Sequence, residues 1–175
     1  MNGMSDYIQM IGETRKESNK KRIVQTINRL IQMTTEECFV RDESRSFYYK
    51  DDINNYFLFF LTDSLVDFTD YFFRWYRINF NEEFDELKPH LNYLVKNIHL
   101  FLAHLGNVHY FPIVRIDPNC VAYLNGIYNT HTKQFIEKSR VPSNLYTATF
   151  KPDIFIPIKR ETLHEKEDII KFIQH

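Results

Sequence analysis

Apolar positions follow two different rhythms along this chain, and the change between them falls near Gly106. Before it the spacing is helical. Ile23, Ile27, Leu30 and Ile31 recur at i, i+4, i+7 and i+8, which predicts a helix from about Asn19 to Met33 with one buried stripe. Residues 1–16 are polar, show no stripe and read as a flexible arm. Residues 38–50 read as two short extended pieces around Asp42-Glu43-Ser44, a small hairpin. Asp51 and Asp52 supply an N-cap and favourable charge for a helix over 53–77. In that helix Phe57, Phe60, Leu61, Leu65, Phe68 and Phe72 would form the stripe, widened by Phe59, Tyr71, Phe73, Trp75 and Tyr76. Asn81-Glu82-Glu83 opens a further helical segment, and Pro89 suits the first position of the next helix, where a missing N–H costs nothing. Leu91, Leu94, Val95, Ile98, Phe101, Leu102 and Leu105 make the cleanest stripe, with Gly106 as the residue that ends it.

Beyond Gly106 the apolar runs are short. Val121-Ala122-Tyr123-Leu124 leads into Asn125-Gly126, a pair that tolerates positive φ and so marks a kink, bulge or tight turn. Ile127 and Tyr128 follow, then the polar run 129–133 as a hairpin tip and a returning strand at 134–136. Thr162-x-x-Glu165 has the form of a capping box and predicts a C-terminal helix with Ile169, Ile170, Phe172 and Ile173 inward. The order gives an α+β class. It comprises a flexible arm over 1–16, a predominantly helical bundle over 17–106, a small strand-rich unit over 107–160 and a helix over 161–175, as one compact domain. An amphipathic helix running to the last residue is expected of a piece of a longer protein.

With 43% hydrophobic and 16% aromatic residues, the chain has ample material for a packed core. A net charge of −1 gives no support for strong nucleic-acid binding by the domain as a whole and leaves room for a local basic patch. Cys38 and Cys120 lie far apart, outside any metal-type cluster, and read as reduced thiols. Residues 1–20 hold no apolar signal core, and the apolar run 56–61 is too short to span a bilayer, so the expectation is an intracellular protein without membrane contact.

The four glycines, at 3, 12, 106 and 126, cannot build a phosphate loop of the GxxxxGK[ST] type, so no nucleotide hydrolysis by that route is expected of this chain. His99, His104 and His109 repeat every five residues, which is not a same-face helical spacing, and read as scattered histidines rather than metal ligands. The pairs Glu36-Glu37, Asp51-Asp52 and Glu82-Glu83 each fall at a predicted helix terminus, where the helix dipole explains them without catalysis. Hence no catalytic, cofactor-binding or metal residue is assigned. Two basic clusters are candidates for DNA contact. Arg15-Lys16 with Lys20-Lys21-Arg22 puts five positive charges in eight residues. In 71–77, Arg74 and Arg77 alternate with Trp75 and Tyr76, as in single-strand binders, although a core helix with arginines emerging at its end accounts for the same residues. Lys133, Lys138, Arg140, Lys151, Lys159 and Arg160 give the strand-rich part a mild basic bias, with Lys133 and Lys151 as its candidates for DNA contact.

The stretch 117–157 also resembles a known family. Asp117-Pro118-Asn119, Asn125-Gly126, Tyr128, Thr132-Lys133, Phe135 and Thr147 to Phe150 match a pattern in the domain just upstream of the superfamily 3 helicase ATPase of large-DNA-virus primase–helicases of the poxvirus and asfarvirus type. Phage and plasmid relatives carry a similar pattern; many have Asp after the Tyr, where this chain has Asn129. The resemblance implies a non-catalytic module between primase and a hexameric ring helicase, one that aids assembly and guides DNA. It places ATP and Mg on a following segment of the parent protein, the primase carboxylates on a preceding one, and the work in the host cytoplasm. The DNA contact expected of such a module is weak, to single strands or forks. A stand-alone protein-interaction module, such as a viral modulator of a host factor, is the alternative.

Overall fold

The computed structural model describes the backbone of residues 3–156 and the side chains of residues 16–156. The class is α+β, with N-terminal helices followed by a strand unit. The chain divides into two compact units whose sequences interleave: the first takes residues 1–51 and 58–115, the second 52–57 and 116–175. The sequence pattern had suggested a single domain with its change of character at Gly106.

In the first unit, helix α1 spans Gly3–Glu36. The backbone is thus already helical within the segment expected to be a flexible arm. Once the stripe from Ile23 onward nucleates a helix, extending it through a proline-free run costs little per residue. Strands β1 (Phe39–Arg41) and β2 (Phe47–Lys50) form the expected hairpin, with Phe39 opposite Tyr49. Its turn is closed by Asp42 Oδ1, which accepts from Ser46 N at 2.8 Å, and by Arg45 at φ 68°.

The helix expected over 53–77 is corrected in its first half. Leu58–Thr62 is a third strand, β3, antiparallel to β2 with Tyr49 opposite Phe59. Aromatic residues pack well on a pleated surface, and the pairs Tyr49–Phe59 (4.9 Å, stacked) and Tyr48–Phe60 (5.6 Å, edge-on) reward pairing with β2 over a helical stripe. Asp51 and Asp52 therefore cap no helix. Helix α2 runs Leu65–Asn79 and is capped by Ser64, whose hydroxyl accepts from Asp67 N at 3.2 Å. Helix α3 (Asn81–Leu87), a short 3-10 turn at Lys88–His90 containing Pro89, and helix α4 (Leu91–His104) follow. The chain leaves α4 through extended backbone at Leu105 (φ −65°, ψ 117°), so the helix stops without the left-handed glycine expected at 106. The core gathers Leu30, Met33, Phe68, Phe72, Tyr76, Leu94 and Ile98, and Phe68 stacks on Phe47 at 4.1 Å and on Phe111 at 5.4 Å.

The second unit is a three-stranded antiparallel meander of β4 (Cys120–Tyr123), β5 (Gly126–Asn129) and β6 (Gln134–Glu137). Tyr123 pairs with Gly126, so Leu124-Asn125 is a two-residue hairpin loop, and Asn129 pairs with Gln134 across the polar tip. A small 3-10 turn, Lys138–Arg140, follows. The segment 52–57 adds Tyr56 and Phe57 to a core with Cys120, Ala122 and Ile127. The helix expected over 161–175 lies outside the described residues. Among the described residues no helix is long and apolar enough to cross a membrane.

Candidate nucleic-acid interface

Four polar residues of the 117–150 pattern, Asp117, Asn125, Asn129 and Thr147, bond backbone groups of their own unit. Asp117 Oδ1 accepts from Asn119 N at 2.8 Å and shapes the entry to β4. Thr147 Oγ1 donates to the Cys120 carbonyl at 2.5 Å and accepts from Thr149 N at 3.1 Å, tying 147–149 beside β4. That tie continues as Ala122 N donates to Thr149 O at 2.8 Å and Lys151 N to Ala122 O at 2.9 Å. The Asn125 carboxamide clamps Phe155 at both ends: Nδ2 donates to its carbonyl at 3.0 Å, and Oδ1 accepts from its N–H at 2.9 Å. Gly126, at φ 156°, leaves no room for a side chain. A Cβ would overlap the Ile136 carbonyl and stand 2.7 Å from Phe135 Cζ. Asn129 Oδ1 accepts from His131 N and Thr132 N, each at 2.9 Å, closing the β5–β6 turn that Lys133 completes at φ 60°. A carboxylate at 129 would accept the same two hydrogen bonds.

Near this lattice sits a buried thiol. Cys120 Sγ donates to Asp117 Oδ2 at 3.4 Å and accepts from Asn129 Nδ2 at 3.6 Å. Burial, helped by the Asp117 carboxylate, pushes it up to about 11, so the group stays a protonated thiol. It is part of the packing of the second unit's core.

The basic candidates fall in both units. Lys20 and Lys21 are exposed on α1 and line a shallow hollow with Glu17, Ser18 and Val24. Arg22 is half-buried and donates to Asn19 Oδ1 at 3.2 Å, which directs it along its own helix. Arg74 and Arg77 are exposed one turn apart on α2, but Trp75 and Tyr76 between them are buried in the core. Of the two readings of 71–77, the packing is that of a core helix whose arginines emerge at its C-terminal end, with Trp75 and Tyr76 turned inward. Lys133 is exposed at the β5–β6 turn and Lys151 is exposed beside β4. No protein-family model matches this chain, and no curated protein matches its sequence.

Three charged groups, Arg29, Glu83 and Arg41, are fixed in place within the first unit. Arg29 on α1 binds Glu83 on α3 through Nε at 3.0 Å and Nη2 at 2.6 Å, while Tyr76 Oη donates to the same carboxylate at 2.5 Å. The Arg29 guanidinium lies 3.7 Å from the centre of the Phe80 ring. The hydrogen bond from Arg29, aided by that from Tyr76, draws the Glu83 carboxyl down to about 2. Glu83 thus does more than favour a helix start, as read from the Glu82-Glu83 pair. Arg41, buried in β1, donates through Nη2 to the Leu105 and Gly106 carbonyls at 3.2 and 2.8 Å, and burial lowers its pKa. Its role is invisible in sequence, because a single Arg between two short strands has no distinguishing context. Glu36 does not sit where the dipole favours it, being the last residue of α1; it accepts from Gln32 Nε2 at 2.8 Å instead. Among the described residues no group of three or more His, Cys, Asp and Glu side chains is placed to hold a metal ion. His104 is engaged with the Leu100 carbonyl at 2.8 Å.

Proposed function

We propose that this chain is a non-catalytic module of a viral-type replicative primase–helicase, joining primase to a hexameric ring helicase, aiding subunit assembly and guiding DNA in the host cytoplasm. One observation supports the reading: the residues of the resembling pattern all lie in one small unit, where Asp117, Asn125, Asn129 and Thr147 spend side-chain polar atoms on holding its hairpins and the 147–155 segment together. A pattern of that kind describes a fold element, which is what the resemblance implies. ATP and Mg belong to the parent protein's ring in this reading, and self-association is the ring's business as much as this module's. Weak electrostatic contact to single-stranded or forked DNA falls to exposed cations, first among them Lys20 and Lys21, and gains strength from six copies around one strand.

The test is the coding sequence after His175. A strand–loop–helix with GxxxxGK[ST] is the expected outcome, and an immediate stop codon would sink the reading. The exposed, stacked rings of Tyr49 and Phe59 on one face of the β2–β3 pair favour a second one, a stand-alone protein-interaction module, which that stop codon would promote.

A further inference from the structure

One face of the β4–β5–β6 sheet carries a stack of three rings. Phe155 is held by the Asn125 clamp and lies parallel to Tyr128 (4.8 Å, 20°) and to Phe135 (4.6 Å, 14°), with Tyr123 edge-on at 5.2 Å. The stack does not end in packed core. Phe135 and Phe155 line an open hollow of about 610 Å³ together with Asn125, Glu137, Lys138 and Ser139. Gly126 is what allows the Phe135 ring to lie over β5, since a Cβ there would meet Phe135 Cζ at 2.7 Å.

We propose that this hollow takes one base of single-stranded DNA, seated against the Phe135–Phe155 rings as the next plane in the stack. The inference rests on the reading of the chain as a DNA-guiding module and names the place where a base is held. Three features select a nucleotide over an isolated apolar group. The rings are flanked by two exposed cations just outside β6, Lys133 in the β5–β6 turn and Lys138 at the start of the 3-10 turn, and Lys138 lines the hollow itself. They stand two and three residues from Phe135 on either side in the chain, so the phosphates flanking a seated base have a positive charge at each end of β6. The rim offers the Ser139 hydroxyl, a donor and acceptor suited to base edges and sugar. The carboxylate in the lining, Glu137, has Arg140 Nε at 3.9 Å, which offsets its repulsion of phosphate. Stacking on a ring tolerates any base, in keeping with a guide that follows sequence-independent DNA.

The experiment uses the full chain and an oligo-dT carrying one 2-aminopurine, at low salt. Wild type is expected to quench the 2-aminopurine fluorescence on binding. Phe135→Leu, which keeps apolar bulk and removes the π face, should weaken binding about tenfold. Lys133→Ala with Lys138→Ala should weaken it too and flatten the salt dependence by about 1.4 in log–log slope, ~0.7 for each phosphate released. Lys20→Ala/Lys21→Ala/Arg22→Ala should weaken binding as well, while the quench reached at saturation stays that of wild type. An unchanged affinity in Phe135→Leu, absence of quenching by wild type, or displacement of the oligonucleotide by an aromatic-rich peptide would each overturn the proposal. Should Phe135→Leu fail to fold, the ring resonances of Phe135 in wild type decide: an upfield shift on adding oligo-dT supports the stack, and no shift overturns it. DNA binding lost only in the Lys20/Lys21/Arg22 variant would overturn the stack and leave the DNA-guiding reading standing. A stop codon after His175 would remove the primase–helicase reading without touching the fluorescence result.

Discussion

A methyl group at position 126 would have to occupy the space of the Ile136 carbonyl oxygen, with Phe135 Cζ at 2.7 Å and Glu137 Cα at 3.1 Å. Two of these three neighbours are backbone and cannot rotate away. Gly126→Ala is therefore expected to cost about 2 kcal/mol or more, by prying β6 from β5. Urea unfolding checks it, and a loss within experimental scatter would show that the hairpin has slack. The Asn-Gly pair was legible in sequence as a turn signal; the division of labour within it was not. Asn125 holds the Phe155 backbone thirty residues away, and no local pattern announces so distant a partner. Glu83 was likewise visible only as helix-start charge, because Arg29 and Tyr76 reach it from other elements. Its carboxyl is lowered from 4.5 to about 2, so it binds fewer protons folded than unfolded at intermediate pH. The stabilisation is full above pH 4.5 and is lost as pH falls through 2. Allowing for partial solvent screening, it amounts to about 1–2 kcal/mol. Glu83→Gln should lose that amount at pH 7, and its deficit relative to wild type should shrink steadily between pH 4.5 and pH 2. Unfolding curves at pH 7, 4 and 2.5 read it directly, and a deficit independent of pH would show that the carboxylate's charge is not what matters.

At the level of elements, periodicity found α4 and the α1 stripe, whose apolar residues recur on one face, while helix-start and turn residues found α3 and the β1–β2 and β5–β6 hairpins. It failed over 53–62, where Phe and Tyr are so dense that a helical stripe and a strand face can both be drawn through them. The arbiter was pairing: β3 has β2 waiting for it, and the true helix start comes later, at Ser64. Ser64→Ala removes the acceptor for Asp67 N and is expected to cost about 1 kcal/mol. The cost should show as faster amide exchange in the first turn of α2, with the β1–β2–β3 sheet unaffected. Equal exchange rates in wild type and variant would mean that Thr62, whose hydroxyl accepts from Ser64 N at 3.0 Å, carries the cap by itself.

At the scale of the whole molecule, composition gave a well-filled core, but the division of that core into two was hidden. The sign of it is a six-residue excursion, 52–57, that leaves the first unit's hairpin and joins the second unit before the chain returns as β3. Nothing in the local pattern of 52–57 distinguishes it from its neighbours, since Tyr56 and Phe57 continue the same aromatic run. Within the second unit those two residues are central. Tyr56 is 5% and Phe57 6% exposed. Tyr56 Oη donates to the Tyr123 carbonyl at 3.1 Å, Thr147 N donates to the Tyr56 carbonyl at 3.0 Å, and Phe57 stacks on Phe150 at 4.9 Å. A fragment cut at the obvious place, residues 116–175, would lack two large side chains of a small core and leave the Tyr123 carbonyl and Thr147 N–H without these partners. Losing a buried aromatic costs about 3–5 kcal/mol, comparable with the whole stability of a unit this small. The fragment is therefore expected to give a collapsed amide spectrum. A peptide covering residues 50–60, added in trans at high concentration, should restore dispersed resonances for β4, β5 and β6 by binding only the folded form. A well-dispersed spectrum from the fragment alone would show that the meander is stable without its borrowed segment, and that 52–57 decorates the unit instead of completing its core.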